Sequence, residues 1–304
     1  MSGAARRAPG ARREAAAGLL FALPALLGLA LFVLGPFLFA VAVSFTDLHL
    51  GSPLPVHFVG LRAYRRLFED PVFLRALVNN AGFALVVVPV QTAAALALAL
   101  LLDRPSRLRG LYRTLFFMPV VFPLSLVSVV WVLLYAPGPE GTVNALMHWL
   151  SLGHWRARDF LHDPALALPA LMLTSIWQGL GFQMIVLLAG LQEIPAERYE
   201  AARVDGAGAW ARFRHVTLPG LRNPLVFVVL ITSVLAFRLF DQVRIMTHGG
   251  PDYATTTLIY EAVRAAFDRG NVARGAAISV VFFVVVLGVA LVQRRLVRER
   301  RELA

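Results

Sequence analysis

The sequence contains no cysteine and no lysine, and charged residues of any kind are scarce. Without cysteine the chain can form no disulfide, no thiolate metal site and no cysteine nucleophile. Without lysine it can form no G-x-x-x-x-G-K-[ST] loop, which is the phosphate-binding loop of many ATPases. A nucleotide site of that kind is therefore excluded, and any ATP hydrolysis linked to this chain must take place on another polypeptide.

Apolar residues dominate what is present. They make up 58% of the 304 residues, charged residues make up 15%, and the mean hydropathy is +0.69. Soluble domains carry about a quarter charged residues. No polar stretch is long enough to enclose a core of its own. The composition predicts one integral membrane domain built from helices.

Six stretches are apolar over the roughly 20 residues that a transmembrane helix requires. The predicted spans are 19–44, 76–102, 111–135, 165–191, 222–242 and 276–293. The first has an apolar core longer than the about 7–15 residues of a cleaved signal, so we interpret it as a retained anchor with a kink near Pro36. The predicted organisation is a basic N-terminus (1–17), a membrane domain (18–293) and a basic tail (294–304).

The arginines are distributed unevenly about these spans. Of the 29, eighteen fall on one side, whereas the rest are nearly balanced by acids. The eighteen are Arg6, Arg7, Arg12, Arg13, Arg104, Arg107, Arg109, Arg113, Arg198, Arg203, Arg212, Arg214, Arg222, Arg294, Arg295, Arg298, Arg300 and Arg301. Because cytoplasmic loops are enriched in arginine and lysine, both termini are predicted to be cytoplasmic in a multi-pass protein of a bacterial or archaeal cytoplasmic membrane.

The same distribution explains the formal net charge of +11. The positive charge is divided among membrane-flanking segments and forms no single stripe with aromatic partners, so a nucleic-acid partner is not indicated. The tail 294–304 can contact anionic lipid headgroups. The external loop 243–275 is predicted to contain helix, because Tyr260, Val263 and Phe267 recur at helical spacing.

The cytoplasmic loop 192–221, between the fourth and fifth spans, carries the most specific pattern. Pro195 suits a first helical position, and Glu200 lies early in the helix, where the dipole favours an acid. Gly206 permits the left-handed conformation that ends a helix. The loop is predicted to be a short helix, a glycine turn and a second short helix. A generic amphipathic helix in the headgroup region is the alternative, but it predicts no such break.

Several motifs in and around this loop resemble those of ABC importer permeases. The matching segments are 200–202 (EAA), 205–207 (DGA), 218–219 (LP), 58–61 (FVGL), 116–119 (FFMP), 240–241 (FD) and 249–251 (GGP). The first three together resemble the EAA loop of that family. The chain as a whole resembles the first of the two permeases in carbohydrate importers of the maltose and glycerol-3-phosphate type.

The resemblance implies an all-α permease fold of six transmembrane helices with a coupling helix in the EAA loop. It also implies the partners: a second six-span permease forming a heterodimer, an ABC ATPase dimer that supplies ATP and Mg, and an extracytoplasmic binding protein that delivers a carbohydrate-type solute. This chain would bind no cofactor and catalyse no reaction. The residues implied in ATPase coupling are Tyr199, Glu200, Ala201, Ala202, Asp205, Gly206 and Pro219.

Polar residues inside apolar spans are costly and usually face a pathway or another helix. With the resemblance, which places solute contacts in spans three to five, they give a predicted substrate pathway. Its members are Ser128, Ser175, Gln178, Gly179, Phe182, Phe237, Arg238 and Asp241. Interhelical hydrogen bonding is an equal alternative for each serine and glutamine. Arg238 either contacts an anionic solute or pairs with Asp241 on one helix face, and we favour the pair.

Two other functional classes were weighed. An ion-gradient-driven secondary transporter would show repeated halves and intramembrane acids, and the sequence shows neither. A metal site would need clustered ligands, and His154, His162, Asp159 and Asp163 in one external loop are better interpreted as solvated side chains. No catalytic and no metal-binding residue is predicted.

Overall fold

The computed structural model describes the backbone of residues 9–103 and 107–302, and the side chains of 17–103 and 107–295. Within these ranges the chain is helical, and extended pairing is limited to an isolated bridge between Thr46 and Phe58. The predicted all-α fold is confirmed for this part of the chain.

The described residues form α-helices that we number along the chain. They are α1 (Pro9–Leu29), α2 (Gly35–Val43), α3 (Arg62–Phe68), α4 (Pro71–Asp103), α5 (Arg109–Val121), α6 (Leu124–Leu134), α7 (Thr142–Leu150), α8 (Ala167–Gln192), α9 (Ala196–Val204), α10 (Ala209–Arg212), α11 (Leu218–Gly220), α12 (Arg222–Phe237), α13 (Leu258–Val263) and α14 (Val272–Glu302). Five-residue π-helical segments occur at Ala30–Leu34, Phe213–Thr217, Val243–Thr247 and Arg264–Asp268. The helix α13 confirms the helix predicted in loop 243–275.

Four helical segments in the described chain are long and apolar enough to cross a membrane. They are Ala17–Val43, Pro71–Asp103, Ala167–Gln192 and Val272–Arg295. Two sharply bent helix pairs pass the same test as units, α5 with α6 at 101° and Ala209–Gly220 with α12 at 67°. Length and composition thus give between four and six crossings.

The bend between α5 and α6 is not anticipated by the single stretch 111–135. Phe122 has the extended backbone angles φ −82° and ψ 140°, and Pro123 follows it. A residue that precedes proline is pushed away from the helical conformation, so the helix ends there. Near Pro36, where a kink is expected, the helix instead passes through the π-helical segment Ala30–Leu34, because widening the turn accommodates the missing proline N–H.

The helices α4 and α8 form the centre of the fold and pack along their lengths, with α5 against α8 and α12 against α4. Small residues allow this close approach. A side chain at Gly181 of α8 would collide with the backbone of Phe116 on α5. On α4, Ala95 and Ala99 are fully buried in a cluster with Leu187 and Leu188 of α8. This core holds the long helices at fixed distances.

The loop 243–275 is anchored to α4 by two buried asparagines. Asn79 Nδ2 donates to the carbonyl oxygens of Tyr253 and Thr256, each at 2.9 Å. Asn80 Nδ2 donates to Phe237 O at 3.2 Å, and Asn80 Oδ1 accepts a 2.8 Å bond from the Leu258 N–H. These bonds tie the end of α12 and the start of α13 to α4.

Candidate functional site

A cavity of about 280 Å³ lies among α4, α8, the start of α6 and the end of α12. Its lining mixes apolar side chains with amides, hydroxyls and two charged groups. The lining residues are Phe83, Val87, Gln91, Leu124, Ser175, Gln178, Gly179, Thr232, Leu235, Ala236, Arg238, Leu239 and Asp241. A small polar solute finds here both apolar surface and groups that form hydrogen bonds.

Five of the eight predicted pathway residues line this cavity. They are Ser175, Gln178, Gly179, Arg238 and Asp241. The other three do not belong to its lining. Ser128 is fully buried and donates to Leu124 O in its own helix at 2.7 Å. Phe237 is buried in a core cluster with Phe83 and Tyr135, and Phe182 is half-buried elsewhere on α8.

Two of the predicted pathway side chains in the lining form hydrogen bonds across elements. Ser175 Oγ donates to Gln242 Oε1 at 2.6 Å, which joins α8 to the segment after α12. Gln178 Nε2 donates to Phe122 O at 3.2 Å. The break between α5 and α6 frees that carbonyl from helical bonding, so Gln178 satisfies it. The alternative role, hydrogen bonding between helices, therefore applies to both side chains, although both also border the cavity.

Gln91 and Thr232 also line the cavity, although they are not among the eight predicted pathway residues. Gln91 lies on α4, in the second span, whereas the predicted pathway was restricted to the spans that follow. A side chain at Gly179 would collide with the Gln91 amide, so these two residues are in close contact. The signal that could have identified Gln91 is its amide within an otherwise apolar span.

Two buried amides beside the cavity have unused hydrogen-bonding groups. Gln183 Nε2 donates to Thr232 Oγ1 at 2.5 Å, but Gln183 Oε1 has no partner among the described residues. Gln242 is fully buried, and its Nε2 has no partner there either. Unpaired buried groups cost about 1–3 kcal/mol each, so a hydroxyl-bearing solute or water that reaches them would be stabilised.

The favoured pairing of Arg238 with Asp241 on one helix face is wrong. The helix α12 ends at Phe237, and the backbone between Arg238 and Asp241 is not helical, so the three-residue spacing no longer brings the side chains together. The ion pairs within 4.0 Å in the described chain do not include this one. Both side chains are exposed and face the cavity.

The loop 192–221 folds as the predicted helix, glycine turn and helix. The helix α9 begins at Ala196, one residue later than predicted, because Pro195 occupies the N-cap position and not the first helical position. Asp205 ends it, and Gly206 follows with φ +76°. A left-handed φ costs a residue with a side chain about 1–2 kcal/mol, so glycine is the favoured residue there. The helix α10 follows at Ala209.

Most residues implied in ATPase coupling are exposed on this loop. Glu200, Ala201, Asp205, Gly206 and Pro219 are exposed, and Ala202 is half-buried. The hydroxyl of the half-buried Tyr199 instead lies 3.0 Å from Thr217 Oγ1, which is buried. Tyr199 thus attaches α9 to the π-helical segment Phe213–Thr217, and its hydroxyl group is used within the chain.

Val204 and Trp210 are apolar residues of this loop whose side chains are exposed. Val204 is 88% exposed at the end of α9. Trp210 on α10 was missed; it is 71% exposed and stacks on Phe213 with ring centroids 5.4 Å apart. An exposed tryptophan in a polar loop is a sequence-level signal of a contact surface.

The loop is joined firmly to the membrane helices at both ends. A side chain at Gly220 would meet Ile194 at 2.6 Å, and one at Gly190 of α8 would meet Pro224 of α12 at 2.5 Å. Because both residues are glycines, the chain that enters the loop can pack closely against the chain that leaves it. This packing connects both ends of loop 192–221 to α8 and α12, which line the cavity.

No group of three or more histidine, aspartate or glutamate side chains is placed to hold a metal ion within the part of the chain that the structure describes. In the loop between α7 and α8, His162 Nδ1 lies 3.0 Å from Asp159 Oδ1. Burial raises the pKa of Asp159, but the hydrogen bonds from His162 outweigh it, so the pKa falls below its ordinary value.

Residues 91–302 match the family model of the binding-protein-dependent transport system inner membrane component. The chain is 34% identical over 273 residues to a probable ABC transporter permease of Pyrococcus horikoshii, covering 90% of this chain and 92% of the relative. It is 32% identical over 292 residues to a trehalose/maltose transport system permease of Thermococcus litoralis, covering 95% and 96%.

The fold is also similar to that of a solved structure. A chain from a bacterial ABC transporter involved in the import of the acidic polysaccharide alginate superposes with a TM-score of 0.78 at 22% identity, covering 92% of this chain and 95% of that one. At that identity the likeness shows the fold alone.

The chain belongs to the binding-protein-dependent transport system inner membrane component family. It is a permease subunit of an ABC importer, a multi-pass protein of the cytoplasmic membrane, and the predicted family, class and location are confirmed. It is a transport subunit, and ATP is hydrolysed by a separate partner. The secondary-transporter alternative is discarded, because the relatives are ABC permeases.

Proposed function

We propose that this permease forms, as a heterodimer with a second six-span permease, the transmembrane pathway for a carbohydrate. An extracytoplasmic binding protein delivers the solute, and an ABC ATPase dimer that binds ATP and Mg drives the cycle through loop 192–221. The chain crosses the membrane six times with both termini cytoplasmic, with α5 and α6 together as the third span and α12 in the fifth. The excess of arginine in the segments assigned to the cytoplasmic side supports this topology.

The observation that carries the proposal is the cavity between α4, α8 and α12. It is lined by Ser175, Gln178, Gly179, Arg238 and Asp241, and its volume of about 280 Å³ suits a small solute. Amides and hydroxyls match sugar hydroxyls, while Phe83 and Leu235 offer apolar surface for a C–H face.

The solute class is supported by the relatives. Their names include a trehalose/maltose system and a sulfoquinovosyl glycerol system of Agrobacterium fabrum, which is 34% identical over 91% of this chain. A structural neighbour was solved with an alginate-bound periplasmic protein, which supports delivery by a binding protein. Neutral and acidic sugars both occur among these solutes.

The coupling role of the loop is supported by its exposure and by its attachment. The helix α9 presents Glu200 and Ala201 outward, so a partner cleft can approach it. A helix of nine residues is marginal in water by itself. The hydrogen bond between the Tyr199 and Thr217 hydroxyls attaches α9 to the rest of the loop. When a bound ATPase moves, α9 moves with it and carries the loop along.

Sugar uptake by the assembled importer tests the proposal. We would isolate the chain with the permease, ATPase and binding protein that co-purify in mild detergent, reconstitute the complex, and measure ATP-dependent uptake of a panel of labelled sugars. Gly179→Leu fills the cavity and should abolish uptake. Its matched control is Gly82→Leu on α4, where a side chain meets nothing within 4 Å.

Coupling is tested in the same preparation. Glu200→Ala should reduce uptake and stimulated ATP hydrolysis together, whereas Glu193→Ala, an equally exposed acid outside α9, should change neither. Uptake that survives both Gly179→Leu and Glu200→Ala would contradict the proposed pathway and the proposed coupling loop.

A further inference from the structure

The helix α7 presents an unusually apolar outer surface for a helix in a loop. Leu146, Trp149 and Leu150 are 49%, 73% and 58% exposed, and Leu152 just beyond the helix is 88% exposed. The first three are three and four residues apart, so they share one helix face. A contiguous exposed apolar face marks contact with a membrane or another protein.

The opposite face of α7 is fixed to the protein by Asn144, which is buried. Its Nδ2 donates to Arg158 O at 2.9 Å, while its Oδ1 accepts bonds from Trp155 Nε1 and from the Arg158 N–H, each at 3.0 Å. These three bonds set the rotation of the helix about its axis. The face with Trp149 therefore points away from the protein and cannot turn inward.

A continuous aromatic cluster connects the loop after α7 to α6 and α8. Trp131, near the end of α6, has its ring 5.6 Å from that of Trp177 on α8 and 5.0 Å from that of Tyr135. Tyr135 contacts Phe160 at 5.4 Å, and Phe160 stacks on Trp155 at 6.4 Å, the residue bonded to Asn144. Tryptophan and tyrosine gather at the membrane–water boundary, so the cluster places α7 at that level.

The exposed apolar surface of α7 continues from that of a transmembrane segment. Leu133 in the last turn of α6 is 69% exposed, and α6 contacts α7. On the other side of the loop, Arg156 is exposed, and Arg158 lies over the Trp155 ring at 5.6 Å. An interfacial helix buries an apolar face at the boundary of headgroups and acyl chains and carries cations on its polar side. The exposed apolar face of α7 and the two arginines of the following loop match this pattern.

We propose that α7 is an interfacial membrane anchor whose face of Leu146, Trp149 and Leu150 inserts into the leaflet opposite loop 192–221. Under the topology of the proposed function this is the outer leaflet. The anchor fixes the connection between α6 and α8, both of which border the cavity through Leu124 and Ser175. It holds this end of the pathway at a constant height in the bilayer.

Site-directed spin labelling tests this directly, because the chain has no native cysteine. Leu146→Cys, Trp149→Cys and Leu150→Cys would each carry a nitroxide in the assembled importer, in vesicles of phosphatidylethanolamine and phosphatidylglycerol. Collision with oxygen should exceed collision with a water-soluble nickel chelate, at a depth of about 5–10 Å below the headgroups. The exposed control Arg156→Cys in the same loop should show the reverse.

Two results would overturn the proposal. Labels that meet the nickel chelate as freely as the Arg156→Cys label would place the face in water. Labels shielded from both reagents would place it against the second permease, or against the binding protein if the shielding requires that protein. A label-free measurement accompanies these: bromolipid quenching of tryptophan emission should lose a component in Trp149→Phe, and an unchanged quenching curve counts against insertion.

Discussion

Ser175 Oγ donates a 2.6 Å hydrogen bond to Gln242 Oε1 and so connects α8 with the segment that follows α12. Gln242 is fully buried and Ser175 borders the cavity. The bond therefore holds together two walls of the proposed solute pathway, and its loss should alter both stability and transport.

We predict that Ser175→Ala destabilises the permease by about 1–3 kcal/mol, since the Gln242 amide loses its partner. Thermal unfolding in detergent measures this. In a double-mutant cycle with Gln242→Leu, the coupling should fall in the range of about 0.5–3 kcal/mol. Ser128→Ala is the comparison, because that hydroxyl bonds within its own helix, and its effect on sugar uptake should be small.

The conformation of loop 192–221 predicts a difference between two neighbouring glycines. Gly206 has φ +76°, whereas Gly208 has φ −67°, and neither would place a side chain near another atom. Gly206→Ala should therefore cost about 1–2 kcal/mol of loop stability and lower ATP-driven uptake. Gly208→Ala should be tolerated. Equal uptake by the two variants would show that the turn conformation does not matter for coupling.

The two charged groups of the cavity predict opposite effects on acidic solutes. Arg238 and Asp241 both line it, and they form no ion pair with each other in the described structure. Arg238→Gln should lower uptake of uronic acids relative to neutral sugars by about tenfold, or 1.4 kcal/mol. Asp241→Asn should raise the uptake of uronic acids relative to neutral sugars. Competition between labelled maltose and an acidic oligosaccharide measures the ratio, and identical ratios in all three proteins would remove Arg238 from solute selection.

A pH-dependent stability follows from the ion pair between Asp70, just before α4, and Arg274 on α14. Burial raises the pKa of Asp70, but the Val72 N–H and the Arg274 guanidinium outweigh it, so the pKa lies below its ordinary value. A lowered pKa stabilises the folded state above the unfolded pKa, and that stabilisation is lost as the pH falls through the folded pKa.

Asp70→Asn should therefore lower the melting temperature at neutral pH, and the difference from the unsubstituted protein should vanish in acid. Melting curves in detergent across acidic and neutral pH measure the effect. Glu69→Gln is the matched control, because its pair with Arg65 lies on an exposed helix surface and contributes little. A difference between Asp70→Asn and the parent that persists at the most acidic pH would contradict the assignment.

Hydropathy and charge alone predicted a helical, multi-pass membrane protein, because lipid requires apolar side chains in long runs and internally bonded backbone. Local chemistry was also sufficient at Gly206, where an Asp-Gly pair ends α9. The family followed from the EAA, DGA and LP segments at fixed spacing. These features depend on neighbours in sequence, which is why they could be read without coordinates.

Other features depend on residues far apart in the chain, and only the tertiary structure decided them. The end of α12 at Phe237 separates Arg238 from Asp241, and Asn80 of α4 bonds the same Phe237 carbonyl. Gln91 joins the cavity because it packs on Gly179 of α8. The sequence by itself determined the class of protein and the helix, glycine turn and helix of loop 192–221, since both follow from local patterns. The packing of α4, α8 and α12 determined which polar groups share a cavity, since hydropathy does not specify how helices rotate against each other.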